Sequence, residues 1–223
     1  MIRTVTRMLP LAAVLLLGTG LLAIAPPAYA VGNVVISQIY GGGGGAAAIY
    51  KNDFVELFNR SLVTVDIGNW SIQYASSTGT SWARTIIPTG TLLAPGQYFV
   101  IAEAAGANGL DLPVGCAQVT GTTAMSQSTG KVALCSNSTL LTGSGCPFVA
   151  SVVDFVGYGT SADCSETSPA ATLTVTTGLA RKGAGNQDTD NNSQDFNVIT
   201  PAPCALPTPA RPATWGTLKQ IYR

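Results

Sequence analysis

The chain of 223 residues carries eleven basic and eleven acidic side chains, is 46% hydrophobic and only 10% charged, and has no histidine. Without histidine there is no Ser-His-Asp or Cys-His nucleophile, no imidazole base and no His-ligated metal. Phosphodiester cleavage built on paired histidines is excluded with them. The chain opens on residues 1–30, which read as a secretory leader: Arg3 and Arg7, an apolar run from Leu9 to Ile24, Pro26-Pro27, then Ala28-Tyr29-Ala30 as a small-x-small cleavage site. A membrane anchor is the competing reading, disfavoured by the short run and the cleavage site. Cleavage would start the mature chain at Val31 and place it outside the cell or on its surface.

Removing Arg3 and Arg7 leaves nine basic residues against eleven acidic ones, and up to Cys204 the balance is six against eleven. A net charge near −5 repels phosphate backbones, so nucleic acid is disfavoured as a partner.

Alternating β-branched and aromatic residues between frequent turn signals predict an all-β chain. The expected strands are Val34–Tyr40, Asp53–Asn59, Trp70–Ala75, Trp82–Ile87, Tyr98–Glu103, Lys131–Cys135, Val152–Tyr158, Leu179–Lys182 and Phe196–Ile199, with no helical periodicity after residue 30. Gly41 to Gly45 read as a flexible loop; no Gly-Lys-Ser/Thr ending follows, so a phosphate loop is excluded. On the second strand Phe54, Glu56 and Phe58 share one face, Val55 and Leu57 the other. Either set could form the core. An inward Glu56 needs hydrogen-bond donors, for which a neighbouring loop's amides or Asn59 are candidates.

Five cysteines behind an export signal imply an oxidising compartment. The simplest pairing joins Cys116 to Cys135 and Cys146 to Cys164, two local staples, and leaves Cys204 over. Spacing does not fix this connectivity. Zinc is disfavoured, since no C-x-x-C pair exists.

Asp188-Thr189-Asp190-Asn191-Asn192-Ser193-Gln194-Asp195 has alternating oxygen ligands, as a calcium loop does. Asp188, Asp190, Asn192 and Asp195 are therefore the candidate metal ligands. The sixth position is Ser193 rather than glycine and the twelfth is Ile199 rather than glutamate. Side-chain-to-backbone turns before the last strand are the alternative reading. No other motif pairs two acids for carboxylate hydrolysis.

The segment from residue 201 onward, with Pro201, Pro203, Pro207, Pro209 and Pro212, reads as a stiff linker. It leads to a tail in which Trp215, Leu218, Ile221 and Tyr222 would share one face of a helix. The tail is either frayed or a recognition tag.

Three ordered blocks resemble the lamin tail domain family: Asn52-Asp53-Phe54-Val55-Glu56-Leu57-Phe58-Asn59, then Val65-Asp66-Ile67-Gly68-Asn69-Trp70, then Leu93-Ala94-Pro95-Gly96-Gln97-Tyr98-Phe99-Val100-Ile101. The resemblance implies an immunoglobulin-like β-sandwich over residues 31–200 and a non-catalytic binding or scaffolding module of a secreted bacterial protein. Glu56, Asn59, Asp66 and Trp70 read as architecture. The implied partners are a protein or a surface glycan, contacted through loops 41–50, 76–81 and 120–130, with Tyr50, Tyr74 and Trp82 as aromatic contacts. A calcium-dependent hydrolase or a DNA-associated role is the alternative.

Overall fold

The structure, a computed structural model, describes residues 32–147 and 149–204. The expected leader and the tail from residue 205, including Trp215, Leu218, Ile221 and Tyr222, lie outside the described residues. In chain order the strands are β1 (Val34–Tyr40), β2 (Asn52–Asn59), β3 (Val65–Asp66), β4 (Ser71–Ala75), β5 (Ala83–Ile86), β6 (Leu92–Leu93) and β7 (Tyr98–Ala105). There follow β8 (Ala117–Thr120), β9 (Gly130–Cys135), β10 (Val152–Tyr158), β11 (Gly178–Arg181), the helical turn α1 (Asn192–Asp195) and β12 (Phe196–Ile199). The main expected strands are present, with ends shifted by a residue or two. The short strands β3, β6 and β8 and the turn α1 carry too few residues to show a period.

A six-stranded sheet in the order β12-β11-β1-β2-β7-β8 packs on a four-stranded sheet in the order β10-β9-β4-β5, and β3-β6 forms a small ribbon. All pairings are antiparallel except β7 with β8. This is an all-β, immunoglobulin-like sandwich. Its inner layer is aliphatic: Val55, Leu57 and Ile101 from one sheet meet Ile72, Val132, Leu134 and Val156 from the other.

The choice between the two faces of β2 resolves as both. Val55 and Leu57 face the opposite sheet, while Phe54 joins Tyr40, Val100 and Cys116 in a separate outer cluster, covered by Ile49, Tyr50, Leu112 and Cys204. Burial on both faces explains why the strand reads as a near-continuous apolar run.

Gly41 and Gly42 are buried rather than part of a loose loop. A Cβ at Gly43 would lie 2.2 Å from the Asn52 carbonyl carbon, and one at Gly44 2.1 Å from Gly106 Cα. The glycine run therefore serves close backbone packing. Asp66 Oδ1 accepts from Gly68 N at 2.8 Å, capping the turn before Trp70, whose ring packs partly buried at the core's rim. Buried Asn59 donates to Val63 O and Leu93 O, both at 2.8 Å, and so anchors the β3–β6 ribbon.

Candidate functional site

The densest group of polar side chains surrounds Arg181 at the end of β11. Its Nη2 donates to both oxygens of Asp154, at 2.9 and 2.7 Å, and its Nη1 to Asp188 Oδ1 at 3.1 Å. Its Nε donates to Ile36 O at 2.9 Å, while Ile36 N donates to Asp154 Oδ2 at 2.6 Å. Strand β11 pairs β1 only at Gln38 and Ile39, so these two side chains satisfy backbone groups beyond the ladder's end. The guanidinium also lies over the Phe196 ring, 4.6 Å from its centroid. Arg60 Nη2 reaches the second oxygen of Asp188 at 3.2 Å.

Asp154, Glu166 and Asp188 can bring ligand oxygens within 4.8 Å of one another. Burial, then repulsion from Asp154 and Asp188, pushes the Glu166 carboxyl up to about 9, so it is protonated at neutral pH. Its Oε2 accepts from Asn192 Nδ2 at 2.8 Å. A metal ion here would need Glu166 to ionise as a third carboxylate and would face the Arg181 cation. The side chains fit a guanidinium better than a divalent cation.

Of the four sequence-predicted calcium ligands, only Asp188 belongs to the three-carboxylate cluster, while Asp195 Oδ2 lies 4.0 Å from Arg181 Nη1. Asn192 Oδ1 accepts from Gly157 N at 2.9 Å and Glu166 N at 3.1 Å, and its Nδ2 also donates to Phe155 O at 3.0 Å. Asp195 accepts from Thr189 N and Thr189 Oγ1, both at 2.8 Å, and from Asn191 N at 3.3 Å. Asp190 adopts a left-handed φ of 53°, and its carbonyl accepts from Thr167 at 2.7 Å. The alternating acids thus form turns, with α1 rotating Asn192 and Asp195 inward.

A second set of carboxylates is buried with no cation paired to it among the described residues. Asp53 accepts from Gly43 N and Met125 N, both at 2.8 Å, and burial raises it to about 6. Glu103 accepts from Thr123 N at 3.0 Å, and its Oε1 is buried without a partner among the described residues. Burial raises its pKa too. Glu56 lies on the outer face, where Ser37 donates to Oε1 at 2.8 Å and Cys204 N to Oε2 at 3.0 Å. Its donors come from the strap 201–204 and a neighbouring strand, not from Asn59. Glu56 is legible in the sequence as a carboxylate in need of donors, whereas buried roles for Asp53, Glu103, Asp154 and Arg181 are not. The available signal was a charge inside an apolar strand, as in Val152-Val153-Asp154-Phe155-Val156.

The cysteine pairing departs in half from expectation. Cys146 is bonded to Cys164, but Cys116 is bonded to Cys204, and Cys135 is a free, buried thiol. Cys116 belongs to the outer cluster of the six-stranded sheet, whereas Cys135 packs with Trp82 and Phe155 outside the four-stranded one. The whole sandwich separates them, so proximity in sequence misleads. Burial pushes the Cys135 thiol up to about 12, which removes its nucleophilicity.

Two of the expected contact aromatics are core residues instead. Tyr74 and Trp82 are 8% and 5% exposed; Tyr74 holds Ser126 N, and Lys131 lies over the Trp82 ring. Tyr50 is partly buried, edge-on to Tyr40 and Phe54. Surface relief lies elsewhere. A groove of about 420 Å³ is lined by Gly96, Gln97, Tyr98, Val100, Gln118 and Cys204. Exposed Leu62, Val63 and Leu92 form an apolar end beside the β3–β6 ribbon.

No curated protein matches the chain. Among solved structures it is similar to a DUF4876 family protein from Bacteroides thetaiotaomicron, at 15% identity over 81% of this chain and 75% of that one, with a TM-score of 0.55. That likeness concerns the fold alone. The model of the Lamin Tail Domain family matches residues 27–160. With its signature strands forming the centre of the sandwich and more than half its length matched, the chain belongs to the lamin tail domain family.

Proposed function

We propose that the protein is a non-enzymatic binding module acting outside the cell or on its surface, with a protein or a surface glycan as partner. The supporting observation is the use made of its carboxylates. Asp53, Glu56, Asp154, Asp188 and Asp195 each accept hydrogen bonds from the protein's own donors, so these carboxylates serve to hold the fold. Two disulfides suit an oxidising compartment. Among the described residues no helix is long and apolar enough to cross a membrane. The surface offers a rigid frame with a shallow groove and an apolar loop end, features suited to contact rather than chemistry.

The test is retention of envelope proteins and of arrayed glycans by the immobilised, oxidised protein, with Leu62→Asp and Leu92→Asp as surface variants. Specific capture reduced by these changes fits the proposal. A hydrolytic activity on peptide, glycosidic or phosphodiester substrates, lost in Asp188→Ala with the fold intact, would overturn it.

A further inference from the structure

Residues 121–126 run on from β8 along β7 and close one side of the sandwich. Gly121 N donates to Ala102 O at 2.7 Å and Ala104 N to Thr123 O at 3.1 Å. Across the gap, a Cβ at Gly121 would lie 2.1 Å from Thr85 Oγ1 on β5 of the other sheet. Thr122 and Ala124 are exposed, while Thr123 and Met125 are buried. Four side chains, each from a different strand and two from each sheet, hold the segment by its backbone. Glu103 Oε2 on β7 accepts from Thr123 N at 3.0 Å, and Asp53 Oδ2 on β2 from Met125 N at 2.8 Å. Tyr74 on β4 accepts from Ser126 N at 2.9 Å, and Tyr158 on β10 donates to Ser126 O at 2.8 Å.

The two acids stand side by side. Strand β2 pairs β7 as Asn52 with Ala105 and Phe54 with Ala102, so the bulge between them sets Glu103 and Ala104 opposite Asp53. Glu103 is 1% exposed, and its Oε1 has no hydrogen-bond partner among the described residues. A proton on that oxygen removes a buried charge without displacing a hydrogen bond. On Asp53 it would displace one of two amide donors, since Gly43 N holds Oδ1 as Met125 N holds Oδ2. The other titratable groups facing Asp53 are Tyr40, Tyr74 and Tyr158, phenols that burial raises and keeps neutral. No cation is paired with either acid among the described residues.

We propose that residues 121–126 form a lid latched by one proton held between Asp53 and Glu103. With that proton in place the segment stays seated between the sheets. With both acids ionised, two adjacent anions without a counter-charge release it. Burial raises both acids while the lid is closed, Asp53 to about 6 from an ordinary 3.8 and Glu103 above its ordinary 4.5. The closed state is therefore favoured most below the ordinary carboxylate values, and that advantage is lost as pH climbs through about 6. The device is independent of which external ligand the module binds.

Hydrogen exchange read by NMR on the oxidised protein, corrected for the intrinsic pH dependence of amide exchange, tests it. Between pH 4 and pH 7 the protection of the Thr123 and Met125 amides should fall about 100-fold, while the β9 amides stay better protected throughout. Glu103→Gln puts a neutral group where the protonated acid stands, and should cut that fall to about tenfold or less. Retained protection in β9 would show the variant folded; if it does not fold, the profile of the unaltered protein still decides. Protection that does not change with pH in the unaltered protein would overturn the proposal, as would a fall undiminished in a folded Glu103→Gln. So would exchange of Thr123 and Met125 at the β9 rate, which would assign the opening to global unfolding.

Discussion

Two regions of the sandwich bury carboxylates by opposite means. Around Arg181 the acids Asp154 and Asp188 surround a guanidinium that is itself fully buried. Around Asp53 and Glu103 the acids meet backbone amides and threonine hydroxyls, with one Glu103 oxygen left unpaired among the described residues. The first arrangement sets a fixed cation against the burial that raises Asp154, and it fails when that cation is removed. The second has no cation among the described residues to oppose burial, which raises both Asp53 and Glu103, so it responds to pH.

Removing the guanidinium should have the largest effect. Arg181→Met leaves Asp154 and Asp188 without their main buried partner and the Ile36 carbonyl without its donor, at a cost of about 3–5 kcal/mol in urea unfolding. Arg181→Met combined with Asp154→Leu should recover part of that loss. If the single variant unfolds like the unaltered protein, the distinction between the two regions does not hold.

The Cys116–Cys204 bond closes a separation of 88 residues. On the chain-entropy account Cys204→Ser should cost about 4.6 kcal/mol at most and release the strap from Glu56. Thiol titration of the denatured, unreduced protein should count one reactive sulfur, and peptide mapping should place it at Cys135. Placing it at Cys204 instead would restore the pairing expected from sequence.

Acidity sharpens the comparison from the other side. Asp53 is held at about 6 against an ordinary 3.8, which corresponds to about 3 kcal/mol. Because its folded value is raised, this contribution is complete below the ordinary value and is lost as pH climbs through about 6. Glu166 acts in the same sense, its contribution lost towards about 9. Asp195, lowered through hydrogen bonds from Thr189 and Asn191 that outweigh its burial, contributes above the ordinary carboxylate range and loses that on acidification. The raised groups dominate, so the thermal midpoint should be higher at pH 5 than at pH 8. A midpoint that rises towards pH 8 would mean that Asp53 and Glu103 are stabilised as anions.

Calcium should have the smallest effect. With Arg181 among the acids and Asn192 and Asp195 engaged in turns, millimolar calcium should leave the midpoint where EDTA leaves it. An increase abolished by Asp188→Ala would show that the ion displaces the guanidinium.

The sequence by itself determined the strands and the family. Alternation along Ser71–Ala75 and the apolar runs of β2 and β10 are local patterns, set by which side chains suit a pleated, buried surface. Turn chemistry such as Asp66 to Gly68, and the choice of turns in the Asp188–Asp195 segment, is equally short in range. Tertiary structure decided what depends on partners far along the chain. Asp154 meets Ile36 across 118 positions, and Arg181 meets Asp154 across 27. Cys116 reaches Cys204 rather than its near neighbour Cys135 because the two sheets place those thiols on opposite outer faces. Which residues of a strand share a face is written locally; what covers that face is fixed only when the sheets close and the strap comes back across them.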